Sequence, residues 1–587
     1  MPGITTNARS SQSRNVENFD LVIVGAGIHG IATLKTYREV NPNAPILVLD
    51  KGSSLGGVWA KDRLYPGLRT NNHFQTFEFS EYPMSTDGFD LKDDHVPGEH
   101  VNDYLHSYAT KFDLMKYMRF NSSVTSAVDN GTSGWTLTVV DNASSSDQTR
   151  TIKAAKLIIA TGLTSEPLMP KLPGKEIFDA PIYHTSELAK AEKGLGPYKK
   201  ITLLSGAKFS WDIACAYASA GISVDLVIRE SGHGPCWMMP NRLTPLQVIP
   251  ELLLQTRLIT WLSPCIFADA AGFGFVFQFF HKHWLGRKIV DGFFAKMQHS
   301  AVRTNNYDGH PETAKLKPWD DVFFIGTNRG LLNYGLDFFE FVRNGIIRVH
   351  IADITHLSKH TIHLSDGKNI GSDVLICGTG WKDTPPINFV TKRELGLPGH
   401  SSQFSSMFIP KADATILESF PKLKDQPPPR KYKPLSGNIQ DIVPEPYRHY
   451  RFMVPPAFME SRTLAFAGAY RSPATTIISQ VQALWITAFF SGDIKALREP
   501  TDPNTWNRIL YETVLHTQFS KWRYSRGFGA RFPELWFDCL PYVDQLLKDV
   551  GIENRRKPTW WQERFTPYRP RDYLGIIGEY IEGRDKS

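Results

Sequence analysis

Apolar residues along the chain fall into short runs separated by glycine-containing turns and by segments with helical spacing. The stretch FDLVIVGAGIHGIATLKTYREV, residues 19–40, begins with an apolar run, turns at three glycines and continues with helical spacing until Asn41 and Pro42. A second apolar run, PILVLD, ends at Asp50. This order predicts a strand, a glycine turn, a helix and a second strand, as in a βαβ unit.

Each glycine of the first turn has its own role in such a unit. Gly25 permits the tight turn, Gly27 lets the backbone approach a pyrophosphate, and Gly30 lets the helix pack on the strand. Asp50 is placed to accept hydrogen bonds from the ribose of an adenosine, while the phosphates lie at the helix N-terminus. The pattern predicts a dinucleotide site, in which His29 is expected to be a helix residue without chemistry.

The same plan recurs later in the chain. Residues 199–231, KKITLLSGAKFSWDIACAYASAGISVDLVIRES, again read as strand, turn, helix and strand. The runs KLIIATG at 156–162 and GSDVLICGTGW at 371–381 each follow alternating strands and each end one half of the repeat. This repetition predicts two dinucleotide-binding domains.

The second glycine turn, LLSGAKFSWD at 203–212, departs from a GxGxSxxD pattern. Ser205 and Ala207 replace the two glycines and Phe209 replaces the small polar residue, whereas Gly206 and Asp212 remain. Serine and alanine are small enough for a phosphate to approach, although they have less freedom than glycine at positive φ. The altered turn therefore still lets a phosphate approach its backbone.

Two basic residues favour NADPH at the second turn. Lys208 adds a positive charge at the helix N-terminus. Arg229 ends the second strand, where an acid is typical of NAD and FAD sites, and a guanidinium suits the extra 2′-phosphate of NADP. The alternative is an exposed strand-end arginine paired with Glu230.

Composition narrows the class of protein. The net charge of +7 is small for 587 residues, and the one basic tract, ENRRK at 553–557, suits a solvated helix end, so no nucleic-acid partner is expected. The five cysteines are widely spaced and form no CxxC pair, which argues against disulfides, a zinc site and a thiol redox pair. The polar first 17 residues lack the apolar region of a signal peptide. We expect a cytoplasmic protein and leave peripheral membrane contact open.

The runs KGSSLGGVW at 51–59 and YPGLRTNNHFQTFEFSEYPM at 65–84 resemble the class B flavin-dependent monooxygenases, the family of FMO-type and Baeyer–Villiger enzymes. The resemblance implies FAD at the first site, with Gly56, Gly57 and Trp59 near the flavin and Asn71 beside its reactive edge. Trp59 could equally be a core aromatic residue. In this family NADPH reduces FAD, and one atom of O₂ is then transferred to an organic substrate, so an enclosed apolar site is needed.

The resemblance implies an α/β fold with two Rossmann-like domains, in which an NADPH domain is inserted into a discontinuous FAD domain. The predicted parts are a disordered leader (1–17), the first part of the FAD domain (18–195), the NADPH domain (196–345) with an aromatic-rich helical insertion at about 240–300, the second part of the FAD domain (346–499) and a C-terminal extension (500–587). In the second part, TLAFAGA leads to a helix starting near Pro473, whose N-terminus could face the flavin, with Tyr470 and Arg471 near the cofactor.

Three residues are candidates for catalysis: Asn71, His184 and Arg329. His184 lies in FDAPIYHTSEL, which partly matches the family's linker fingerprint, and a structural hydrogen-bonded histidine is the alternative. Arg329 lies roughly where an arginine of Baeyer–Villiger members keeps a flavin-bound peroxide anionic, and a surface-loop arginine is the alternative.

The predicted cofactor-binding residues are Gly25, Gly27, Gly30, Asp50, Lys51, Gly56, Gly57, Trp59, Thr70, Asn71, Thr161, Gly162, Ser205, Gly206, Lys208, Arg229, Gly378, Thr379 and Gly380, with no metal ligands.

The insertion either forms a hydrophobic lid or membrane-resting patch, or simply buries its own aromatic residues. We expect a lipophilic substrate such as a bulky secondary metabolite, and O₂ as the second substrate. Two rival functions remain: an FAD-dependent oxidase or dehydrogenase without NADPH, and a non-catalytic carrier on the same fold.

Overall fold

The computed structural model describes residues 16–87, 95–143, 149–191, 195–242, 248–326, 328–400, 402–430, 432–435 and 445–585. The predicted leader lies almost wholly outside these ranges, and Glu17 already opens the first strand. Part of the predicted insertion, residues 243–247, also lies outside them.

The strands of the described chain are β1 (Glu17–Val24), β2 (Ile46–Leu49), β3 (Arg69–His73), β4 (His95–Pro97), β5 (Met118–Arg119), β6 (Ser122–Asp129), β7 (Trp135–Asp141), β8 (Thr149–Ile159), β9 (Ile182–His184), β10 (Lys200–Leu204), β11 (Ser223–Ile228), β12 (Trp237–Pro240), β13 (Arg329–Leu332), β14 (Ile347–Ile351), β15 (Ile354–Ser358), β16 (Thr361–Leu364), β17 (Asn369–Gly371), β18 (Val374–Cys377), β19 (Asn388–Val390) and β20 (Leu464–Phe466).

The helices are α1 (Ile28–Val40), α2 (Gly98–Lys111), α3 (Leu188–Ala191), α4 (Lys208–Ser219), α5 (Pro250–Leu254), α6 (Arg257–Trp261), α7 (Gly274–Lys282), α8 (Trp284–Thr304), α9 (Pro311–Ala314), α10 (Phe338–Arg343), α11 (Gln403–Ser419), α12 (Thr475–Ser491), α13 (Pro503–Arg523), α14 (Cys539–Val550), α15 (Trp560–Phe565) and α16 (Ile576–Asp585).

The first sheet is built around β1, whose buried apolar residues pair in parallel with β2 on one side and β8 on the other. Parallel β5 extends the sheet beyond β2. The other edge of β8 pairs first with antiparallel β7 and then with parallel β20. Because Val24 pairs with both Leu49 and Ile159, the three strands end at one edge, where the first glycine turn lies.

The second sheet has five parallel strands in the order β14-β11-β10-β18-β9. Leu204 pairs with Val227 and Cys377, so the second turn lies at the matching carboxyl edge. The sheet reaches beyond the predicted NADPH domain, 196–345, because β9 precedes that range and β14 and β18 follow it. Two separate sheets, one mixed with a parallel part around β1 and one parallel, confirm the predicted α/β fold class.

Helix α12 is the centre of the larger core. All of its residues except the first and the last are buried, so the helix is enclosed on every side. It packs against α1 and α14. The predicted C-terminal extension contributes Leu540, Leu546 and Tyr573 to the same core, so it is an integral part of the fold. A helical insertion, α5 to α8, lies between β12 and β13.

All five cysteines are buried and unbridged. Among the described residues no helix combines the length and apolar character needed to span a bilayer.

Candidate functional site

A cavity with a volume of about 1110 Å³, called the main cavity below, is lined by both halves of the molecule. Gly27 and Asn71 come from the first unit, whereas Lys208, Glu251 and Arg329 come from the second. Drug-sized ligands occupy pockets of about 300–1,000 Å³, so this cavity is large enough for a ligand of that size or larger.

The first glycine turn forms a cradle on the cavity wall. Gly25 has φ +115°, and a Cβ at Gly25 would collide with the carbonyl oxygen of Ala160. A Cβ at Gly30 would collide with the carbonyl oxygen of Gly25, so helix and strand pack as the sequence predicts. Helix α1 begins after Gly27 without a side-chain cap and without an acid in its first turn, leaving its N–H groups for a phosphate.

Asp50 ties the end of β2 to this turn. Its carboxylate accepts hydrogen bonds from the backbone N–H of Ala26 at 2.6 Å and of Gly52 at 2.7 Å, and it also lines the cavity. A carboxylate has further acceptor sites, so Asp50 retains capacity for ribose hydroxyls. The geometry fits the adenosine role predicted for it.

A further pair of glycines, in the segment after β2, faces the first glycine turn. Gly56 and Gly57 have φ of +122° and +61°, and a Cβ on Gly57 would lie 3.0 Å from the Cα of Gly27. Trp59 lines the cavity and contacts the ring of Phe77 edge to face at 5.6 Å. Lys51, Thr161 and Gly162 also line the cavity; Lys51 donates to the carbonyl oxygen of Ser165 at 2.5 Å. These observations fit a bound FAD, whose phosphates need close backbone approach.

His29 faces the same cavity, which the sequence did not predict. Its Nε2 lies 2.9 Å from the hydroxyl of Tyr470, and burial lowers the pKa of His29 to about 4, so the ring is neutral. The N-terminus of α12 is also here, since Pro473 and Thr475 line the cavity and no side chain caps the helix. Tyr470 and Arg471, which the sequence predicts to lie near the cofactor, line the cavity too.

Asn71 is presented to the cavity by strand β3. It is exposed there, and none of the hydrogen bonds found among the described residues involves its side chain. Thr70 is buried behind it and donates to the carbonyl oxygen of Asn72 at 2.7 Å. The structure therefore leaves the Asn71 amide available for a ligand, whereas Thr70 supports the strand.

Arg329 is not on a surface loop. It begins strand β13, is 4% exposed and lines the cavity. Its Nη2 donates to the carbonyl oxygens of Val322 and Ile325, but Nε and Nη1 have no partner among the described residues. Burial lowers the pKa of Arg329 to about 9. Arg329 thus brings a buried guanidinium to the cavity wall, with two unpartnered nitrogens that neighbouring atoms cover. A positive charge in such a place favours a negatively charged group nearby.

The second glycine turn is packed against the protein itself. Gly206 lies beneath Gly234, and the ring of Phe209 lies against Gly378, since a Cβ at either glycine would collide with these neighbours. Ser205 accepts a hydrogen bond from the backbone N–H of Ala207 at 3.0 Å. Phe209 lines the main cavity, whereas Ser205, Gly206 and Gly378 do not.

The two predicted basic groups of the second site have internal partners. Lys208 lines the cavity and forms an ion pair with Asp212, and its ammonium also donates to Asn333 at 3.1 Å. Arg229 lies away from the cavity, and its partner is Asp353, with Nε to Oδ1 at 3.3 Å, rather than Glu230. A 2′-phosphate would therefore share Arg229 with Asp353.

His184 does not line the cavity. It is fully buried at the end of β9, with Nε2 3.0 Å from the carbonyl oxygen of Gly380 and Nδ1 accepting the N–H of Ser186 at 3.2 Å. Burial lowers its pKa, and this pair of contacts defines a neutral ring protonated on Nε2. Thr379 donates to the carbonyl oxygen of Leu168 at 2.5 Å. His184, Thr379 and Gly380 thus hold the loop after β18 in place.

Glu251 was missed by the sequence analysis. It lies in helix α5 of the insertion, lines the cavity and is 5% exposed. Burial raises the pKa of Glu251 to about 7. A lone glutamate in a stretch of leucines carries no motif, so only its position in the fold marks it.

Two sheets whose parallel strands lead into glycine turns beside one cavity are typical of folds with two dinucleotide sites. The family model of flavin-binding monooxygenase-like proteins matches residues 19–271. The FAD-dependent monooxygenases rstn6 of Aspergillus nomiae and resA of Aspergillus sclerotiorum are both 32% identical to this chain, with 96% of this chain and 98% of each relative covered. The chain belongs to this family and is a flavin-dependent monooxygenase.

A solved structure has the same fold. Cyclohexanone monooxygenase from Rhodococcus sp. Phi1, bound to NADP⁺, superimposes with a TM-score of 0.55 over 91% of this chain and 98% of that chain, at 16% identity. Family membership confirms the predicted resemblance and the prediction of an enzyme. The solved structure shows the same fold.

Proposed function

We propose that the protein uses FAD, NADPH and O₂ to insert one oxygen atom into a lipophilic small molecule. The observation that carries the proposal is one cavity lined both by the residues at the uncapped N-terminus of α1 and by the buried Arg329. The chemistry that FAD supplies when bound is acceptance of a hydride and activation of O₂. The NADP⁺ bound by the cyclohexanone monooxygenase supports NADPH as the hydride donor.

The protein's own residues supply binding, orientation and charge. The N-terminus of α1 and the glycines around Gly27 and Gly57 would hold the FAD phosphates, and Asp50 would hold the ribose. The N-terminus of α12 would favour negative charge on the reduced isoalloxazine ring. Asn71 would offer its amide to that ring.

The cavity wall next to Arg329 is apolar, which supports a lipophilic substrate. Met239, Leu254, Leu331 and Trp536 line it, so water is a poor competitor for that space. The guanidinium of Arg329 stacks over the ring of Trp536, with 5.3 Å to the ring centre. We infer that Arg329 holds negative charge on an oxygen here, which favours Baeyer–Villiger insertion over transfer to a nitrogen or sulfur atom.

The test is anaerobic mixing of the FAD-loaded protein with NADPH and, separately, NADH, while the absorbance of oxidised flavin is followed. Faster loss of absorbance with NADPH supports the proposal. No loss with either nucleotide would instead support an oxidase or dehydrogenase that takes electrons directly from its substrate.

We also propose that the insertion contacts an anionic bilayer through an apolar corner. This corner consists of Phe275, Phe279, Trp284, Leu285 and Ile289 at the junction of α7 and α8, with Phe275 74% and Trp284 64% exposed. Successive ring contacts from Phe279 through His283 to Trp284 join the two helices into one surface.

The charge around the apolar corner supports an anionic bilayer as its partner. Residues 274–304 carry five basic residues against one acidic residue, Asp291, which is paired with Lys422. Exposed basic and apolar residues side by side favour a surface of anionic lipid. Cosedimentation with phosphatidylserine-containing vesicles, but not with phosphatidylcholine vesicles, is expected. Trp284→Ser should abolish it and Trp560→Ser, another exposed tryptophan, should not; equal loss in both would contradict the assignment.

A further inference from the structure

Glu251 joins the helical insertion to the strand that presents Asn71. Its Oε1 accepts hydrogen bonds from the Asn72 amide at 2.6 Å and from the Thr76 hydroxyl at 2.5 Å. Its Oε2 accepts the backbone N–H of His73. One carboxylate thus fixes the turn formed by residues 72–76.

Asn72 extends this contact to the third element of the cavity wall. Its amide nitrogen donates both to Glu251 and to the carbonyl oxygen of Pro473, at 2.5 Å, just before α12. A primary amide has two N–H donors, and both are used here. The Asn72 side chain is therefore locked between the insertion and the start of α12, and the backbone that carries Asn71 is locked with it.

A carboxyl group suits this arrangement better than an amide. Donors of Asn72, His73 and Thr76 converge on the two oxygens, and Gln255 Nε2 lies 3.5 Å from Oε1 as a fourth. An ionised carboxylate accepts at both oxygens and donates at neither. Glutamine would direct an NH₂ group at one of the donors and leave it unpaired in a buried site, which costs stability and geometry.

We propose that Glu251 is a positioning residue that acts through Asn71, holding the Asn71 amide in place beside the flavin. This inference rests on the proposed function, because it needs FAD in the main cavity. It assigns a role to the insertion that the sequence did not reveal: one end of it completes the flavin pocket.

The test is a double-mutant cycle on the oxidised, FAD-loaded protein. Visible circular dichroism of the flavin is recorded for the wild type, Asn71→Ala, Glu251→Gln and the double variant, without NADPH. If Glu251 acts through Asn71, Glu251→Gln changes the flavin signal in the wild type and loses that effect in the Asn71→Ala background. Additive effects, or no effect of either single change, would overturn the proposal.

Two further variants separate positioning from folding. Glu251→Asp keeps two acceptor oxygens and should restore part of the wild-type signal. Glu78→Gln is a matched control, since Glu78 is also buried and accepts the N–H of Met84 at 2.9 Å, but it does not line the cavity. It should leave the flavin signal unchanged; a change as large as that of Glu251→Gln would mean a general loss of structure.

Turnover provides the second measurement. Glu251→Gln should lower kcat for NADPH oxidation by about tenfold with little change in KM, because it displaces a group beside the reacting ring. A wild-type protein that binds FAD but does not oxidise NADPH would refute the proposed function, while the dichroism cycle would still decide the role of Glu251.

Discussion

The ring of His29 and the hydroxyl of Tyr470 share a hydrogen bond of 2.9 Å that joins the first turn of α1 to the loop before α12. Both residues line the main cavity, and their rings meet edge to face at 5.4 Å. The phosphate end and the ring end of the proposed FAD site are therefore connected by one contact.

Tyr470→Phe should weaken FAD binding as well as the fold. The change leaves the buried Nε2 of His29 without a partner, which we expect to cost about 1–3 kcal/mol of the free energy of unfolding. Denaturant unfolding and FAD release by ultrafiltration measure the two effects. Tyr447→Phe is the control, because Tyr447 donates to the carbonyl oxygen of Asp383 at 2.6 Å away from the cavity, and it should retain FAD.

Gly30→Ala should prevent FAD binding, and Gly292→Ala should not. A Cβ at Gly30 collides with the Gly25 carbonyl, whereas a Cβ at Gly292 meets nothing within 4 Å. Gly292 lies in helix α8, so alanine there should stabilise the protein by about 0.5–1 kcal/mol. Flavin content after purification and thermal unfolding distinguish the two variants. A flavin-loaded Gly30→Ala protein would contradict the packing described for this turn.

Arg229→Ala should raise KM for NADPH by about tenfold and leave KM for NADH unchanged, because only NADPH carries the 2′-phosphate. Asp353→Asn frees the guanidinium from its ion pair and should lower KM for NADPH by about two- to fivefold. Steady-state kinetics with both nucleotides measure these effects. An unchanged KM in Arg229→Ala would show that the phosphate binds elsewhere.

Arg329→Met should lower oxygen transfer while maintaining or raising stability. The guanidinium is buried with two unpartnered donor atoms, so removing it relieves a desolvation cost. Product yield and hydrogen peroxide release per NADPH, together with thermal unfolding, test this. Arg523→Met is the contrast: Arg523 is fully buried but bonded to Ser263 and the Phe323 carbonyl, and its loss should destabilise the fold.

Stability should depend on pH through Glu251. Burial raises the pKa of this carboxyl from 4.5 to about 7, so the folded state binds its proton more tightly than the unfolded state. The contribution of Glu251 to stability is therefore most favourable below pH 4.5 and falls, by up to about 3 kcal/mol, as pH rises to 7. Unfolding free energies of the wild type minus those of Glu251→Gln should show this slope. Glu460→Gln, at an exposed glutamate, should not.

The sequence by itself determined the parts of the site that depend on neighbouring residues. The tight turn could be predicted because the spacing of Gly25, Gly27 and Gly30 is a local property of the sequence. Asp50 follows strand β2, whose parallel partner β1 ends at the same edge of the sheet. Gly56, Gly57 and Asn71 were found from a local resemblance of the same kind.

Only the tertiary structure decided which side chains meet across the cavity. Glu251 and Asn72 are 179 positions apart, and Arg229 and Asp353 are 124 apart, so no local pattern could join them. Both Arg329 and His184 are buried, but only Arg329 lines the cavity, whereas His184 supports a loop. The sequence had suggested both as candidates for catalysis. Contact and desolvation arise when distant segments pack, and they set the chemistry of these groups.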